Sequence, residues 1–149
     1  MSAKILLTGA SGFIGRNIFE NFEKKYTVFA PTHDALDIRD HILVDAFIEN
    51  NEIDIIIHTA VGRGKKVFED TLRMFYNVIR NSKKVEKTII LGSGAEYNKN
   101  RDLIKIREDE IGEYLPEDDY GIAKYFSNNV MRGMENVVNL RLFGVFGKN

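Results

Sequence analysis

The sequence predicts an α/β fold: a doubly wound parallel sheet with helices on both faces, in three layers. Short apolar runs alternate with longer amphipathic stretches, as they do in consecutive βαβ units. Two of these runs, 55–57 and 89–91, are continuously aliphatic, which is typical of parallel strands buried on both faces. The chain has 149 residues, the size of one domain.

Each element follows from this alternation. The apolar runs predict five strands, at Lys4–Thr8, Tyr26–Ala30, Asp54–Thr59, Thr88–Gly92 and Val137–Phe143. Between them, apolar residues at helical spacing predict four helices. Their stripes are Ile14, Ile18 and Phe22; Leu43, Phe47 and Ile48; Met74, Phe75, Val78 and Ile79; and Ile122, Phe126 and Val130. The stretches 62–66 and 98–116 are predicted loops.

Composition excludes several classes of function. The 21 basic and 22 acidic residues nearly cancel, so no global field attracts nucleic acid or a membrane surface. There is no cysteine, and His33, His41 and His58 lack metal-ligand spacing, so no metal site is predicted. The longest apolar run, 53–61, is too short to cross a bilayer, and no signal peptide precedes the first strand. We therefore expect a cytoplasmic protein.

The first strand leads into a turn with glycines at every third position. Gly9 permits a tight turn, Gly12 allows a pyrophosphate to approach the backbone, and Gly15 lets the following helix lie close to the sheet. The amides and dipole at the start of that helix favour an anion. The alternative is a glycine-rich connection without a ligand. The order of strand, turn and amphipathic helix favours a dinucleotide cofactor.

A second motif begins the last predicted helix. Tyr120 and Lys124 lie four residues apart and so share one helix face. A nearby ammonium stabilises phenolate, which makes Tyr120 a candidate general acid–base, and Ser93 at the end of the fourth strand could bond the same substrate oxygen. The alternative is a solvated lysine beside a half-buried tyrosine. The order of glycine turn, serine and Tyr–Lys pair favours the catalytic interpretation.

Together these motifs resemble the extended short-chain dehydrogenase/reductase family, the NAD-dependent epimerases and dehydratases. The resemblance covers the whole chain. It includes the turn at 8–15, the acidic–apolar pair within Leu36-Asp37-Ile38, and the segments His58-Thr59-Ala60, 91–97 and 141–147. It implies a Rossmann-like fold that binds NAD or NADP, with Ser93, Tyr120 and Lys124 as catalytic residues. The implied cofactor-binding residues are Gly9, Ser11, Gly12, Phe13, Ile14, Gly15, His33, Asp37, Ile38, Thr59, Ala60, Tyr120 and Lys124.

Within the family, the segments 32–37 and 91–93 look most like GDP-fucose synthase and dTDP-4-dehydrorhamnose reductase, which implies a nucleotide-sugar substrate. The chain departs from these types at several positions. Ala95 replaces a cysteine of the fucose synthase type, and Gly94-Ala95 replaces the Asp-Glu pair of the dehydratases. Epimerase, dehydratase and reductase therefore stay open. Arginines that grip a 2′-phosphate in NADP-dependent relatives fall on Pro31 and His33, so the choice between NAD and NADP is open too.

We expect residues 1–149 to form the NAD(P)-binding domain. Family members continue for about another domain, which supplies the sugar-nucleotide pocket. The resemblance therefore predicts that the C-terminal substrate-binding part is absent, and that this chain binds cofactor with weak or no turnover. It also implies a homodimer formed through helices that flank the sheet. The alternative function is a non-catalytic Rossmann module that senses cofactor or scaffolds a partner, in which Ser93, Tyr120 and Lys124 have no use.

Overall fold

The computed structural model describes residues 2–148 and confirms the predicted fold class. The sheet has five strands, and four α-helices pack on it. In chain order the elements are β1 Lys4–Thr8, α1 Phe13–Phe22, β2 Thr27–Phe29, α2 His41–Asn51, β3 Ile55–His58, α3 Val67–Ile79, β4 Lys87–Ser93, α4 Asp119–Met131 and β5 Val137–Leu142. The five predicted strands are present, with ends that differ from prediction by at most one residue.

The strand order is β2-β1-β3-β4-β5, and every pair is parallel. The connection from β1 to β2 runs toward one edge of the sheet. The next three connections, β2 to β3, β3 to β4 and β4 to β5, run toward the opposite edge. Because such crossovers are right-handed, α1 covers one face and α2, α3 and α4 cover the other. The direction of the strand order therefore changes between β1 and β3. Ligands of open α/β sheets bind outside the carboxyl ends of the strands at such a point.

The hydrophobic core is divided by the sheet into two clusters. On the three-helix face, Leu6, Ile56 and Ile90 pack against helix residues that include Val44 and Val78. On the α1 face, Leu7, Ile57 and Leu91 pack against the predicted stripe of Ile14, Ile18 and Phe22. Alternate strand residues thus serve both faces, which explains why these strands are continuously apolar.

The predicted buried face of α2 is correct at Phe47 and Ile48 and wrong at Leu43. Leu43 is 47% exposed, whereas Val44 and Ile48 are buried. Three consecutive apolar residues, 42–44, allowed either face to be chosen from the sequence. In the structure Asp40 accepts hydrogen bonds from the amides of Ile42 and Leu43, which fixes the start of α2 and turns Val44 inward.

The predicted buried face of α4 is also wrong. Phe126 and Val130 are each 50% exposed, and the buried face carries Ala123, Lys124 and Ser127 instead. Small side chains allow α4 to lie close to the sheet and α3, while the larger aromatic ring lies outside, edge-on to Phe68 of α3. Apolar periodicity cannot identify a buried face that is mostly small and polar.

The two predicted loops contain neither an α-helix nor a β-strand. The first contains the 3-10 turn Gly64–Lys66, and the second contains only the 3-10 turn Glu108–Glu110. Within residues 2–148, no helix has the length and apolar character needed to cross a membrane.

Candidate active site at the carboxyl edge of the sheet

The glycine turn is held together by backbone contacts that exclude side chains. Gly9 has a φ of +78°, and a Cβ there would lie 2.7 Å from the amide nitrogen of Ala60 after β3. The Gly12 amide donates to the Gly9 carbonyl over 3.0 Å. Gly15 is buried, and a Cβ there would overlap the same carbonyl oxygen. Gly9 and Gly15 therefore bring β1, β3 and α1 together as the sequence predicts.

The start of α1 is open to an anion. Its N-cap is Gly12, no side chain caps the helix, and its first turn carries no acidic residue. The unpaired amides at a helix start need an acceptor, and the helix dipole favours a negative one. A Cβ at Gly12 would have only the Gly9 carbonyl oxygen within 4 Å, at 3.3 Å. The turn therefore has the shape and the donors that a pyrophosphate requires.

A cleft of about 450 Å³ lies directly above this turn, where β1 and β3 diverge. Seven of the predicted cofactor-binding residues line it: Gly9, Ser11, Gly12, His33, Ile38, Thr59 and Ala60. The cleft is also lined by Leu36, Val61 and Met74, which form apolar walls, and by Arg63 of the 62–66 loop; the predicted set of cofactor-binding residues does not include these four. In the part of the chain that the structure describes, no carboxylate lines the cleft. The cleft therefore suits a ligand with an apolar ring and anionic groups.

Some predicted cofactor-binding residues lie outside the cleft. The side chains of Phe13 and Ile14 line a separate apolar groove that also includes Phe146. Gly15 lies beneath the turn as a packing residue.

Asp37 is engaged by a neighbouring arginine. Arg39 Nε donates to Asp37 Oδ1 over 2.9 Å, and Arg39 Nη2 donates to Asp37 Oδ2 over 2.8 Å. These bonds lower the pKa of Asp37 to about 2. Arg39 Nη2 also donates to His33 Nε2 over 2.7 Å. Asp37 lines a neighbouring depression rather than the cleft, with both of its oxygens already occupied.

The predicted catalytic residues lie at the same edge of the sheet. Ser93 ends β4, which is separated from β1 only by β3, or about 10 Å across the sheet. Lys124 Nζ donates to the Leu91 carbonyl over 2.7 Å and lies 5.9 Å from the centroid of the Tyr120 ring. Tyr120 is half-buried, whereas Lys124 is only 4% exposed. Burial lowers the pKa of Lys124 to about 8.

Gly121 allows α4 to approach the turn that follows Ser93. A Cβ at Gly121 would lie 2.6 Å from the Ala95 carbonyl oxygen, and the Gly121 amide donates to the N-cap Asp118 over 3.0 Å. The start of α4, with Tyr120, is therefore held against the Ser93 turn. No sequence signal singled out this glycine, because the contact joins residues distant in the chain.

His58 is buried beneath the site and forms a hydrogen bond with Thr8. Its Nδ1 is 2.7 Å from Thr8 Oγ1, and both side chains are fully buried. Burial, and secondarily the charge of Lys124, lowers the pKa of His58 to about 3. The neutral imidazole thus joins the ends of β1 and β3. The sequence assigned no chemistry to this residue, and the structure gives it a packing contact.

The topology and the cleft define a Rossmann-type α/β protein. Residues 5–149 match the model of the NAD dependent epimerase/dehydratase family, and the chain belongs to that family. A curated relative, GDP-L-colitose synthase of Yersinia pseudotuberculosis, is 28% identical over 111 residues, which cover 66% of this chain and 36% of the relative.

Solved structures share the fold. A GDP-D-glycero-L-gluco-heptose synthase of Campylobacter jejuni superposes with a TM-score of 0.86 at 23% identity, over 98% of this chain and 48% of that one. A GDP-L-fucose synthetase of Naegleria fowleri gives 0.81 at 20% identity, over 95% and 49%. The chain spans about half the length of these structures and about a third of the curated relative.

Proposed function

We propose that residues 1–149 form the cofactor-binding domain of an NAD(P)-dependent nucleotide-sugar epimerase, dehydratase or reductase. The observation that carries this proposal is the cleft where β1 and β3 diverge. Within residues 2–148 it joins an uncapped helix start to a pocket that no carboxylate lines, and Ser93 ends a strand at the same edge of the sheet. Membership of the NAD dependent epimerase/dehydratase family supports the same assignment.

The proposed cofactor is NAD or NADP. The amides at the start of α1 would bind its pyrophosphate, and the apolar walls of the cleft, with Ile38 and Met74, would hold its adenine. Solved relatives from Campylobacter jejuni were crystallised with NADPH and NADP, and one from Bordetella bronchiseptica with NAD. When bound, the cofactor supplies or accepts a hydride, while protein groups orient it and manage protons.

The proposed catalytic residues move and hold a proton. The Tyr120 phenol would donate a proton to a substrate carbonyl oxygen during reduction, or take it from a hydroxyl during oxidation. Lys124 lies under the phenol ring and stabilises the phenolate left behind. Ser93 Oγ accepts a hydrogen bond from the Ala95 amide over 3.1 Å, so its own proton remains for a substrate oxygen.

The proposed substrate is a keto or hydroxy sugar linked to a nucleoside diphosphate. A GDP sugar is supported by the relatives and structural neighbours, which include a GDP-colitose synthase, a GDP-heptose synthase and a GDP-fucose synthetase. The sugar-binding part of those proteins is expected in the portion of their length that this chain does not span. A cytoplasmic location stays a prediction of the sequence.

A homodimer is proposed through the outer surfaces of α3 and α4. Tyr76 on α3 is 61% exposed, and Phe126 and Val130 on α4 are each 50% exposed. Replacing Phe126 by Glu should shift the sedimentation coefficient toward that of a monomer. Replacing Ile104, which is exposed on the 98–116 loop and lies on neither helix, by Glu should not, and an unchanged coefficient for both variants contradicts this interface.

Cofactor binding is tested by calorimetric titration with NADH and NADPH. We expect wild-type chain to bind at least one of them, and Gly12→Ala to weaken that binding at least 10-fold, because the methyl group would stand where a phosphate approaches the amides. Unfolding stability should change by less than about 1 kcal/mol, since Gly12 is not in the left-handed region. Gly144→Ala, at an open position, is the matched control. Wild-type chain that binds neither cofactor contradicts the proposal.

Catalysis is tested separately from binding. Any NADPH oxidation that the chain catalyses with a GDP-4-keto sugar should fall at least about 100-fold in Tyr120→Phe, because the proton donor is lost. Tyr114→Phe, at an exposed tyrosine, should retain the wild-type rate. Equal rates in wild type and Tyr120→Phe would favour the alternative, a non-catalytic cofactor-binding module.

A further inference from the structure

A carboxylate is buried beneath the turn that carries Ser93. Glu96 has an exposed fraction of 0% and ends the short 3-10 helix Gly94–Glu96 that follows β4. Its Oε1 accepts a hydrogen bond from the Ser93 amide over 3.0 Å. The Ser93 hydroxyl in turn accepts from the Ala95 amide, so the two side chains close the turn reciprocally.

Two side chains of β5 hold this carboxylate in place. Arg141 Nε donates to Glu96 Oε2 over 2.6 Å, and its side chain is only 9% exposed. Asn139 Nδ2 lies 3.2 and 3.3 Å from the two Glu96 oxygens. Asn128 Oδ1 of α4 accepts from both Arg141 Nη2, over 2.8 Å, and Asn139 Nδ2, over 3.1 Å. The turn, the edge strand and α4 are thus tied through one charged network.

The network is tightly enclosed. A Cβ at Gly92 would overlap Asn139 Oδ1 and Glu96 Oε1, so these two side chains lie directly against the backbone of β4. Buried ion pairs are often replaced by apolar residues without loss of stability. Folding alone therefore does not account for a charged group at this position, directly beneath a candidate catalytic serine.

We propose that Glu96 is a positioning residue, which fixes the backbone of Ser93 through the hydrogen bond that it accepts from the Ser93 amide. This inference rests on the proposed function of Ser93. The Ser93 hydroxyl has no acceptor within residues 2–148, so holding its backbone directs the free proton. Burial lowers the pKa of Lys124, and the negative charge of Glu96 acts in the opposite direction, so the Lys124 side chain gives a second signal of a change at Glu96.

Glu96→Gln tests the proposal because it keeps the shape and removes the charge. Two NMR signals report on it in wild-type chain without cofactor: the Ser93 amide proton and the titration of the Lys124 side chain. In Glu96→Gln we expect the Ser93 amide proton to move upfield, because a charge-assisted bond is lost, and the midpoint of the Lys124 titration to fall.

Glu108→Gln is the matched control. Glu108 pairs with the same arginine, through Arg141 Nη1 over 3.0 Å, but it is exposed and does not contact Ser93. It should leave both signals unchanged. The proposal is overturned if Glu96→Gln leaves the Ser93 amide signal unchanged, or if Glu108→Gln changes that signal equally.

If Glu96→Gln does not fold, Arg141→Lys is the second variant. It keeps the positive charge but loses the planar hydrogen-bonding geometry, so the Ser93 amide should move in the same direction by a smaller amount. No movement of this signal overturns the proposal. Because these signals are measured without cofactor, their result is independent of whether wild-type chain binds NADH or NADPH.

Discussion

The two ends of the crevice are built from different groups. At the β1 end, backbone amides and glycines form the surface, and no carboxylate within residues 2–148 lines the cleft. At the β4 end, buried charged side chains lie beneath the surface: Lys124 is 4% exposed and Glu96 is 0% exposed. Binding of an anion by the backbone needs no titrating group, whereas proton transfer does.

The two ends of the crevice should therefore respond differently to substitution and to pH. Replacing glycines should damage the β1 end through steric overlap, with little dependence on pH. Changing side chains should alter the β4 end through charge, with a strong dependence on pH. Three substitutions test whether the two ends respond in this way.

The largest effect is expected at Gly9. In Gly9→Ala the new methyl group would lie 2.7 Å from the Ala60 amide nitrogen, in a backbone conformation that disfavours side chains. We expect a loss of about 3 kcal/mol in the free energy of unfolding, measured with urea. The loss should be similar at pH 6 and pH 8. Gly144→Ala should stay within about 0.5 kcal/mol of wild type. A Gly9→Ala variant as stable as that control would show that the turn can relax.

A slightly smaller effect is expected at Lys124, on the alkaline side. Burial lowers the pKa of Lys124 from 10.5 to about 8, so the unfolded chain holds this proton more tightly than the folded one. Stability therefore rises with pH between about 8 and 10.5, by up to about 3 kcal/mol. Lys124→Met should lack this gain, and Lys65→Met, on the exposed loop, should retain it. Parallel stability curves for wild type and Lys124→Met contradict the buried charge.

The smallest of the three effects is expected at His58, on the acidic side. Its pKa is lowered from 6.5 to about 3, so the unfolded chain takes up a proton that the folded chain does not. The contribution of His58 to the free energy of unfolding is thus fully present above pH 6.5 and is lost as the pH falls toward 3. Between pH 6.5 and 5 we expect a loss of about 2 kcal/mol from this group. His58→Gln should flatten the slope, and exposed His41→Gln should not. Equal slopes contradict the assignment.

Local patterns predicted one end of the site better than the other. The glycine turn encodes its conformation within eight residues, so its strand, turn and helix could be predicted from the sequence. Glu96 and Arg141 lie 45 residues apart, and their contact depends on β5 pairing with β4, which no short pattern specifies. For the same reason Gly121 was missed. The errors at Leu43 of α2 and on the buried face of α4 show a related limit, because tertiary contacts, and not apolar spacing alone, decide which residues face the core.

We infer that a dinucleotide binds where β1 and β3 diverge. This inference can be tested by recording amide chemical shifts while the chain is titrated with NADH or NADPH, whichever binds more tightly. We predict the largest changes at Gly9, Gly12 and Ala60, with smaller ones at Ser93. Changes confined to the neighbouring depression around Asp40 and Arg73, with the glycine turn unaffected, would contradict the account.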